Sequence, residues 1–381
     1  MRFSWIVFLP ALAYQLLSIF ASLRFLRCSR LGSGDRQGAV PNFEPGISVL
    51  KPLRGLDPNT REAFVSQLRQ DYPQFEIVFG VQDAADPAAE EVRRLQFDFP
   101  GVPIHLIVGA SPAPNGKVGL LMTLAGHARY PLWVVNDSDI RVTPSYLREV
   151  VAPLCDPGVG LVTCLYRAKP HTLPAAWESF GIATDFMPST LVAPLVGVRE
   201  FGLGSTLAFR AEDLERAGGF ASVANYLADD YQIAKRLTAS GKRAVISTYV
   251  VETSLNDDSW LGVWRHQVRW ARTIRVSKGK GYLGLPIAQT GVWIAAAALC
   301  GMWMPALVLA FTRVLSAFLA AGLVLRAPAI AAFCWFAPIW DLYSFAIWVT
   351  SYAGRKVRWR DVRLRIDSKG RIERVSREGR A

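Results

Sequence analysis

The sequence predicts an α/β chain with a mainly parallel sheet, flanked by one N-terminal and two to three C-terminal membrane-spanning helices. Three observations predict it. Apolar blocks occupy both ends of the 381 residues. Between them, β-prone apolar runs alternate with amphipathic stretches, the pattern of a parallel sheet covered on both faces. One of those runs, Trp133-Val134-Val135-Asn136, delivers Asp137-Ser138-Asp139 at its carboxyl end, where ligands of such sheets bind.

The elements follow in order. Phe3–Phe25 is almost continuously apolar, long enough for a bilayer that needs about 20 residues. Arg24, Arg27 and Arg30 follow the apolar core, so residues 1–27 read as a signal anchor with the next domain in the cytoplasm. Residues 28–45 read as a linker. The α/β domain spans 46–255. Ile47–Leu53 is a strand, and Asn59 or Thr60 caps a helix to Gln70. Phe75–Gln82 is a strand before a helix opening at Pro87. Val102–Val108, a helix over Lys117–Arg129 and the strand Leu132–Asn136 complete the regular part. Beyond Val159–Tyr166 the pattern loosens, leaving strands at Gly202–Arg210 and Arg243–Glu252 around a helix at Asp229–Ala239.

Residues 256–284 hold an amphipathic helix in which Trp260, Trp264 and Val268 recur every fourth position and Arg265, Arg269 and Arg272 form a second stripe. That combination favours a membrane interface, although a core-facing helix fits the same spacing. The block 285–354 fits two long or three short spans. Three would place residues 355–381 outside the cell, whereas their eleven Lys/Arg against four Asp/Glu belong inside. An even count, with one segment lying in the interface or re-entering, satisfies both.

Composition excludes several classes. A hydrophobic content of 51% with 12 Trp is too apolar for an ordinary soluble enzyme, and the net charge of +12 is concentrated beside the spans. Those basic residues point to an anionic membrane surface and not to nucleic acid. Five cysteines without a CxxC pair, and four histidines without metal-ligand spacing, argue against a disulfide frame or a zinc site.

The chemistry rests on carboxylates. Asp-x-Asp at a strand end suits a hard divalent cation, Mg²⁺ or Mn²⁺, held against a nucleotide diphosphate. Taken alone it equally fits a turn of solvated aspartates. Four other features accompany it: Lys51-Pro52-Leu53-Arg54-Gly55, Val81-Gln82-Asp83, Asp229-Asp230-Tyr231 and His266-Gln267-Val268-Arg269-Trp270. An inverting sugar transfer needs one carboxylate to take the acceptor proton, and a metal or cations to hold charge on the departing diphosphate. For Asp229-Asp230 the plainer reading is helix capping, and for Arg269 it is contact with lipid phosphate.

Together these motifs, with Leu56-Asp57-Pro58-Asn59, Asp71-Tyr72-Pro73 and Ile140-Arg141-Val142, resemble glycosyltransferase family 21, the ceramide glucosyltransferase-like branch of the GT-A enzymes, close to bacterial hopanoid-biosynthesis glycosyltransferases. The resemblance implies a GT-A-type, Rossmann-like domain. It implies that Asp83 holds the uracil end of the nucleotide sugar, that Asp137 and Asp139 sit at the diphosphate and metal, and that Asp230 is the base. It also implies that His266, Gln267, Arg269 and Trp270 close over diphosphate and acceptor, with His266 standing where the family has Gln or Arg. Lys51 adds positive charge near the diphosphate, and Asn115 and Lys117 are donor-pocket candidates for which loop capping is an equal alternative. The implied activity moves a sugar, glucose from UDP-glucose, to a membrane lipid such as ceramide. The alternative is a hopanoid acceptor with UDP-N-acetylglucosamine. A processive polysaccharide synthase and a non-catalytic scaffold fit less well. The implied location is the bacterial inner membrane, with the catalytic domain in the cytoplasm.

Overall fold

A computed structural model describes residues 5–34, 43–57, 59–255, 259–359 and 362–377. Pro58 of the first motif, residues 35–42 of the expected linker and residues 360–361 and 378–381 of the basic tail lie outside the described residues.

The chain begins with a short 3-10 turn, Trp5–Phe8, that runs into helix α1 (Leu9–Gly34). The helix thus continues into the stretch expected as linker. The α/β domain follows as β1 (Ile47–Pro52), α2 (Thr60–Leu68), β2 (Phe75–Val81), α3 (Pro87–Asp98), β3 (Ile104–Val108), α4 (Gly116–Ala125), β4 (Leu132–Val135), α5 (Tyr146–Val151), β5 (Val159–Pro170), α6 (Leu173–Gly181), α7 (Met187–Val192), β6 (Leu207–Arg210), α8 (Ala211–Arg216), α9 (Asp229–Ala239) and β7 (Arg243–Leu255). Seven strands form one sheet in the order β3-β2-β1-β4-β6-β5-β7. β1 pairs in parallel with β2 and β4, and only β6 runs against its neighbours. Side chains alternate between two cores: Val49, Ile77 and Val134 enter one, Leu50, Val78 and Val135 the other. Burial on both faces explains why these strands read as unbroken apolar runs.

Among the described residues, three helices are long and apolar enough to cross a membrane: Trp5–Arg30, Trp260–Leu299 and Trp303–Val324. The second contains α10 (Trp260–Lys278) and α11 (Thr290–Leu299), and the third contains α12 (Trp303–Phe318). Leu16, Phe20 and Leu23 of α1 point outward, while Ala11, Gln15, Ser18, Ser22 and Phe25 form its buried stripe. Gln15 donates to Thr290 Oγ1 at 2.6 Å, and Ser18 meets Ser316 at 2.8 Å. These are the interhelical hydrogen bonds expected where lipid offers no polar alternative. Phe8 and Ala11 pack with Ala297, Ala306 and Leu309, whereas Ala21 and Phe25 share the main core with Ala317 and Ala321. So α11 leads away from the catalytic sheet and α12 returns to it.

Short helix α13 (Pro328–Ala331) precedes α14 (Ala337–Ser351). This last helix stays beside the α/β domain. Tyr343 meets Trp264 of α10 at 5.4 Å, and Trp340 meets Trp177 of α6 at 5.2 Å. The C-terminal block therefore supplies two long apolar helices among the described residues, and α14 packs against α6 and α10. The basic tail is likewise not a free run. It folds into an antiparallel sheet, β8 (Lys356–Trp359), β9 (Val362–Ile366) and β10 (Ile372–Arg377). Val357, Leu364 and Ile366 pack with Leu227 and Val276. Ile372 N donates to Asn225 O at 2.8 Å, which places the tail on the same side as the catalytic sheet.

Candidate active site

The order β2-β1-β4 brings the carboxyl ends of the first and fourth strands side by side. Lys51 closes β1 fully buried. Its Nζ donates to Asn136 Oδ1 at 2.7 Å and to the Asp137 carbonyl at 3.0 Å. Burial pulls its pKa down to about 7, against the opposing pull of Asp139 and Asp137. Lys51 therefore props the Asp-x-Asp loop from beneath. Asp83, at the end of β2, is exposed and accepts from Ala85 N at 3.0 Å. Its neighbour Gln82 lines the central cavity.

Asn115 caps α4: its Oδ1 accepts from Lys117 N at 3.0 Å and Val118 N at 3.3 Å, and its Nδ2 donates to Tyr226 O at 2.8 Å. Two of these bonds cap α4 and the third ties down the Tyr226 loop, while Asn115 also lines the central cavity. Lys117 instead reaches inward. Its Nζ donates to Asp137 Oδ1 at 2.8 Å and lies 3.4 Å from Asp229 Oδ2. Burial alone would lower its pKa, but Asp137, Asp229 and Asp230 together hold it above the ordinary lysine range.

Gly204 joins the two halves of the carboxylate cluster. Its N–H donates to Asp230 Oδ2 at 3.1 Å, and its carbonyl accepts from Asp137 N at 3.2 Å. A Cβ there would stand 3.0 Å from Asp137 Oδ2 and 3.7 Å from Asp230 Oδ2. Asp230 opens α9 and also accepts from Tyr231 N at 2.7 Å. Burial and the adjacent Asp229 charge push its carboxyl up to about 6, although Lys117 opposes them. Asp139 accepts from the Thr253 hydroxyl of β7, and burial together with the Asp137 charge holds it above the usual carboxylate range.

The motif on α10 divides in two. His266 Nδ1 lies 2.7 Å from Glu178 Oε1, and Gln267 Nε2 donates to the same oxygen at 2.7 Å. Glu178, on α6, is fully buried. Arg269 and Trp270 line the cavity, with Trp270 packed 5.6 Å from Phe186 and 4.8 Å from His266.

This cavity has a volume of about 1780 Å³. Asp137, Asp139, Asp230 and Lys117 line it near the sheet, while Tyr14 of α1 and Trp340 and Ile347 of α14 line it among the apolar helices. Leu364 and Ile372 of the tail sheet complete the wall. Sequence reasoning missed Gly204, Thr253, Glu178 and the tail. A lone Glu178 inside the apolar run Leu173–Phe180 was the one available signal. Gly204 and Thr253 have roles set only by distances across the fold.

The profile of the family described as Glycosyl transferase family 21 matches residues 3–372. Among curated proteins, ceramide glucosyltransferase 1 of Caenorhabditis elegans is 28% identical over 231 residues, covering 60% of this chain and 49% of the relative. A ceramide glucosyltransferase of Komagataella phaffii is 27% identical over 146 residues, covering 37% and 29%. The chain thus spans half or less of the length of these relatives. Among solved structures, a mannosyltransferase of Pyrobaculum calidifontis in complex with GDP-Man and Mn²⁺ is 19% identical, with a TM-score of 0.48 over 89% of this chain and 99% of that one. With the motifs in order along one sheet edge and the profile matched over almost its whole length, the chain belongs to glycosyltransferase family 21.

Proposed function

We propose that this protein is a membrane-bound inverting glycosyltransferase that moves a sugar, glucose from UDP-glucose, to a hydroxyl of a membrane lipid of the ceramide type. The observation that carries the reading is one continuous cavity. It joins a carboxylate cluster at the sheet edge to a wall built from the apolar helices. An acceptor that never leaves the bilayer would reach a donor bound from water through such a passage. The curated relatives are ceramide glucosyltransferases, which supports the lipid and the sugar.

In this mechanism Asp230 takes the acceptor hydroxyl proton as that oxygen attacks the anomeric carbon from the face opposite the diphosphate. Its carboxylate is oriented by the Gly204 and Tyr231 N–H groups. Lys117 and Arg269 supply positive charge toward the departing diphosphate. Glu178 holds the start of the α10 motif, so Arg269 and Trp270 are presented on a fixed helix.

The residues present fit a divalent cation. The Asp137 side chain is 46% exposed with Oδ1 held by Lys117, and the neighbouring Asp139 carboxyl suffers its charge. Positive charge between the two relieves that repulsion. Among the described residues no three His, Cys, Asp or Glu side chains close a complete site, so phosphate oxygens would complete the coordination. When bound, Mg²⁺ or Mn²⁺ would neutralise charge developing on the leaving diphosphate. Arg24, Arg27 and Arg30 at the end of the apolar core of α1 support, through the positive-inside rule, a reading in which the α/β domain faces the cytoplasm at a bacterial inner membrane.

The test is UDP release by the purified chain in detergent with Mg²⁺ or Mn²⁺. UDP-glucose and UDP-N-acetylglucosamine are each paired with ceramide or a hopanoid polyol, beside Asp230→Asn. Acceptor-dependent release that the substitution abolishes is expected. Absence of turnover with every pair would overturn the lipid-acceptor reading.

A further inference from the structure

One carboxylate on the cavity wall among the apolar helices, Asp185, is not used by the sugar-transfer chemistry. Asp185 sits in a single π-turn, Ile182–Phe186, between α6 and α7. It lines the cavity together with Tyr14, Ser189, Trp340 and Ser344. Trp340 Nε1 and the Ser344 hydroxyl, both on α14, donate to Asp185 Oδ2 at 3.1 Å each. Oδ1 takes no hydrogen bond from the described residues.

The nearest strong cation is already committed. Arg313 forms a two-pronged pair with Asp341 at 2.8 and 2.7 Å, and its remaining nitrogen donates to the Thr184 carbonyl at 2.9 Å. Asp341 in turn accepts from Gly291 N at 2.8 Å. That pair is closed on itself. Asp185, one residue beyond Thr184, has no ion-pair partner within 4 Å among the described residues and opens on the cavity. A carboxylate among apolar helices is costly unless something uses it. π-turns of this kind also concentrate at functional sites.

We infer that Asp185 forms a recognition subsite for the acceptor: it accepts a hydrogen bond from a second donor group, an amide N–H or a further hydroxyl, beside the hydroxyl that receives the sugar. This rests on the proposed lipid-acceptor reading and narrows its substrate class. An ionised carboxylate accepts and does not donate. It would therefore favour lipids whose head carries several N–H or O–H groups. A diacylglycerol, with one hydroxyl and two ester carbonyls, would turn carbonyl lone pairs toward it and leave the carboxylate unanswered. A site built to bond a donor rejects analogues that lack it far more strongly than an apolar pocket rejects an extra methylene.

The experiment compares short-chain ceramide, the same ceramide methylated on its amide nitrogen, and a diacylglycerol of equal chain length. Each is read twice: by UDP release, and by titration against intrinsic tryptophan fluorescence, since Trp340 bonds directly to Asp185. The wild-type chain should prefer ceramide over the N-methyl compound and the diacylglycerol by roughly ten- to a hundredfold. Asp185→Asn and Asp185→Leu should compress that ratio to within about threefold while UDP affinity stays unchanged. Equal binding of the three lipids by the wild-type chain, or an undiminished preference in both variants, would overturn the inference. If the lipids bind with the expected ranking but none turns over, the subsite stands and the transfer reading fails. The comparison of lipids on the wild-type chain holds even if a variant does not fold.

Discussion

Lowering the pH should silence this enzyme well before an ordinary aspartate would protonate. In the proposed mechanism Asp230 acts as base, and burial with the Asp229 charge raises its carboxyl to about 6. The groups facing it are Asp229, Lys117 and Asp137, together with the N–H groups of Gly204 and Tyr231. Only the ionised form accepts a proton, so activity falls as pH drops through that value. A carboxyl titrating at about 6 is nearly all ionised at about pH 7.5 and roughly one-tenth ionised at about pH 5, whereas one near 3.9 would lose less than about a tenth of its charge. kcat/KM for UDP release should therefore drop about tenfold over that range, with the limb moving to lower pH as Mg²⁺ is raised, because added positive charge favours the carboxylate. Stability should move the other way. A folded pKa above the unfolded value of about 3.9 means the folded chain binds more protons between about pH 4 and 6, so this group's contribution declines as pH rises. Asp230→Asn should accordingly melt no lower than wild type at neutral pH while losing roughly a hundred- to ten-thousandfold in turnover. A flat profile down to about pH 5, or substantial activity in Asp230→Asn, would refute the assignment.

Three further outcomes follow from the same geometry. Lys51→Met removes the two donors that hold Asn136 and the Asp137 carbonyl, so the chemical-denaturation midpoint should fall by an amount equivalent to about 2–4 kcal/mol. The wild-type lysine should be insensitive in function to pH near 7, because a neutral amine still has two N–H groups for its two acceptors. Its lowered pKa makes its contribution to stability rise with pH between about 7 and 10, where the unfolded chain binds more protons. Glu178→Ala should lower kcat/KM by roughly ten- to a hundredfold with little change in UDP affinity by calorimetry, because it frees His266 and Gln267 and so misplaces Arg269. Ending the chain at Gly354 should raise the donor KM roughly tenfold, since the tail sheet bonds to the 225–227 segment that leads into Asp229 and holds Asn115. An unchanged donor KM in a folded, membrane-extracted protein would count against that role.

The first four strands were legible because each is an apolar run that enters both cores. The helix at Asp229–Ala239 was legible to the residue because a paired acidic start and a clear periodicity mark it. Residues 173–196 were not. Three prolines, a buried glutamate and an aspartate interrupt an otherwise apolar stretch, so its helices are set by packing against α1 and α14 and not by periodicity. The tail misled through its charge. Val357 and the pair Leu364 and Ile366 alternate with Lys and Arg at the period of a strand, yet eleven basic residues drew attention to lipid first. Candidate site residues could be named as types, but their partners could not. Lys51 beneath the loop and His266 on Glu178 depend on segments far apart in sequence.

Charge around the sheet edge sets a requirement for the donor. Asp137, Asp229 and Asp230 converge on Lys117 and Gly204, with Asp139 beside Asp137 and Lys51 beneath near its own titration point. Four carboxylates against one firmly charged lysine leave this corner negative. A nucleotide diphosphate brings further negative charge into the same space, and interactions at these distances are several-fold stronger than in bulk water. Arg269 alone does not reverse the sign. A divalent cation held by Asp137 and Asp139 would, since it would supply the positive charge that both the carboxylate pair and a diphosphate need. UDP affinity by calorimetry should therefore fall at least roughly tenfold on chelation and recover with Mg²⁺ or Mn²⁺. Asp137→Asn should weaken the response to metal. UDP binding that is equally tight in the presence of chelator would mean that lysine and arginine suffice, and the Asp-x-Asp pair would then need another role.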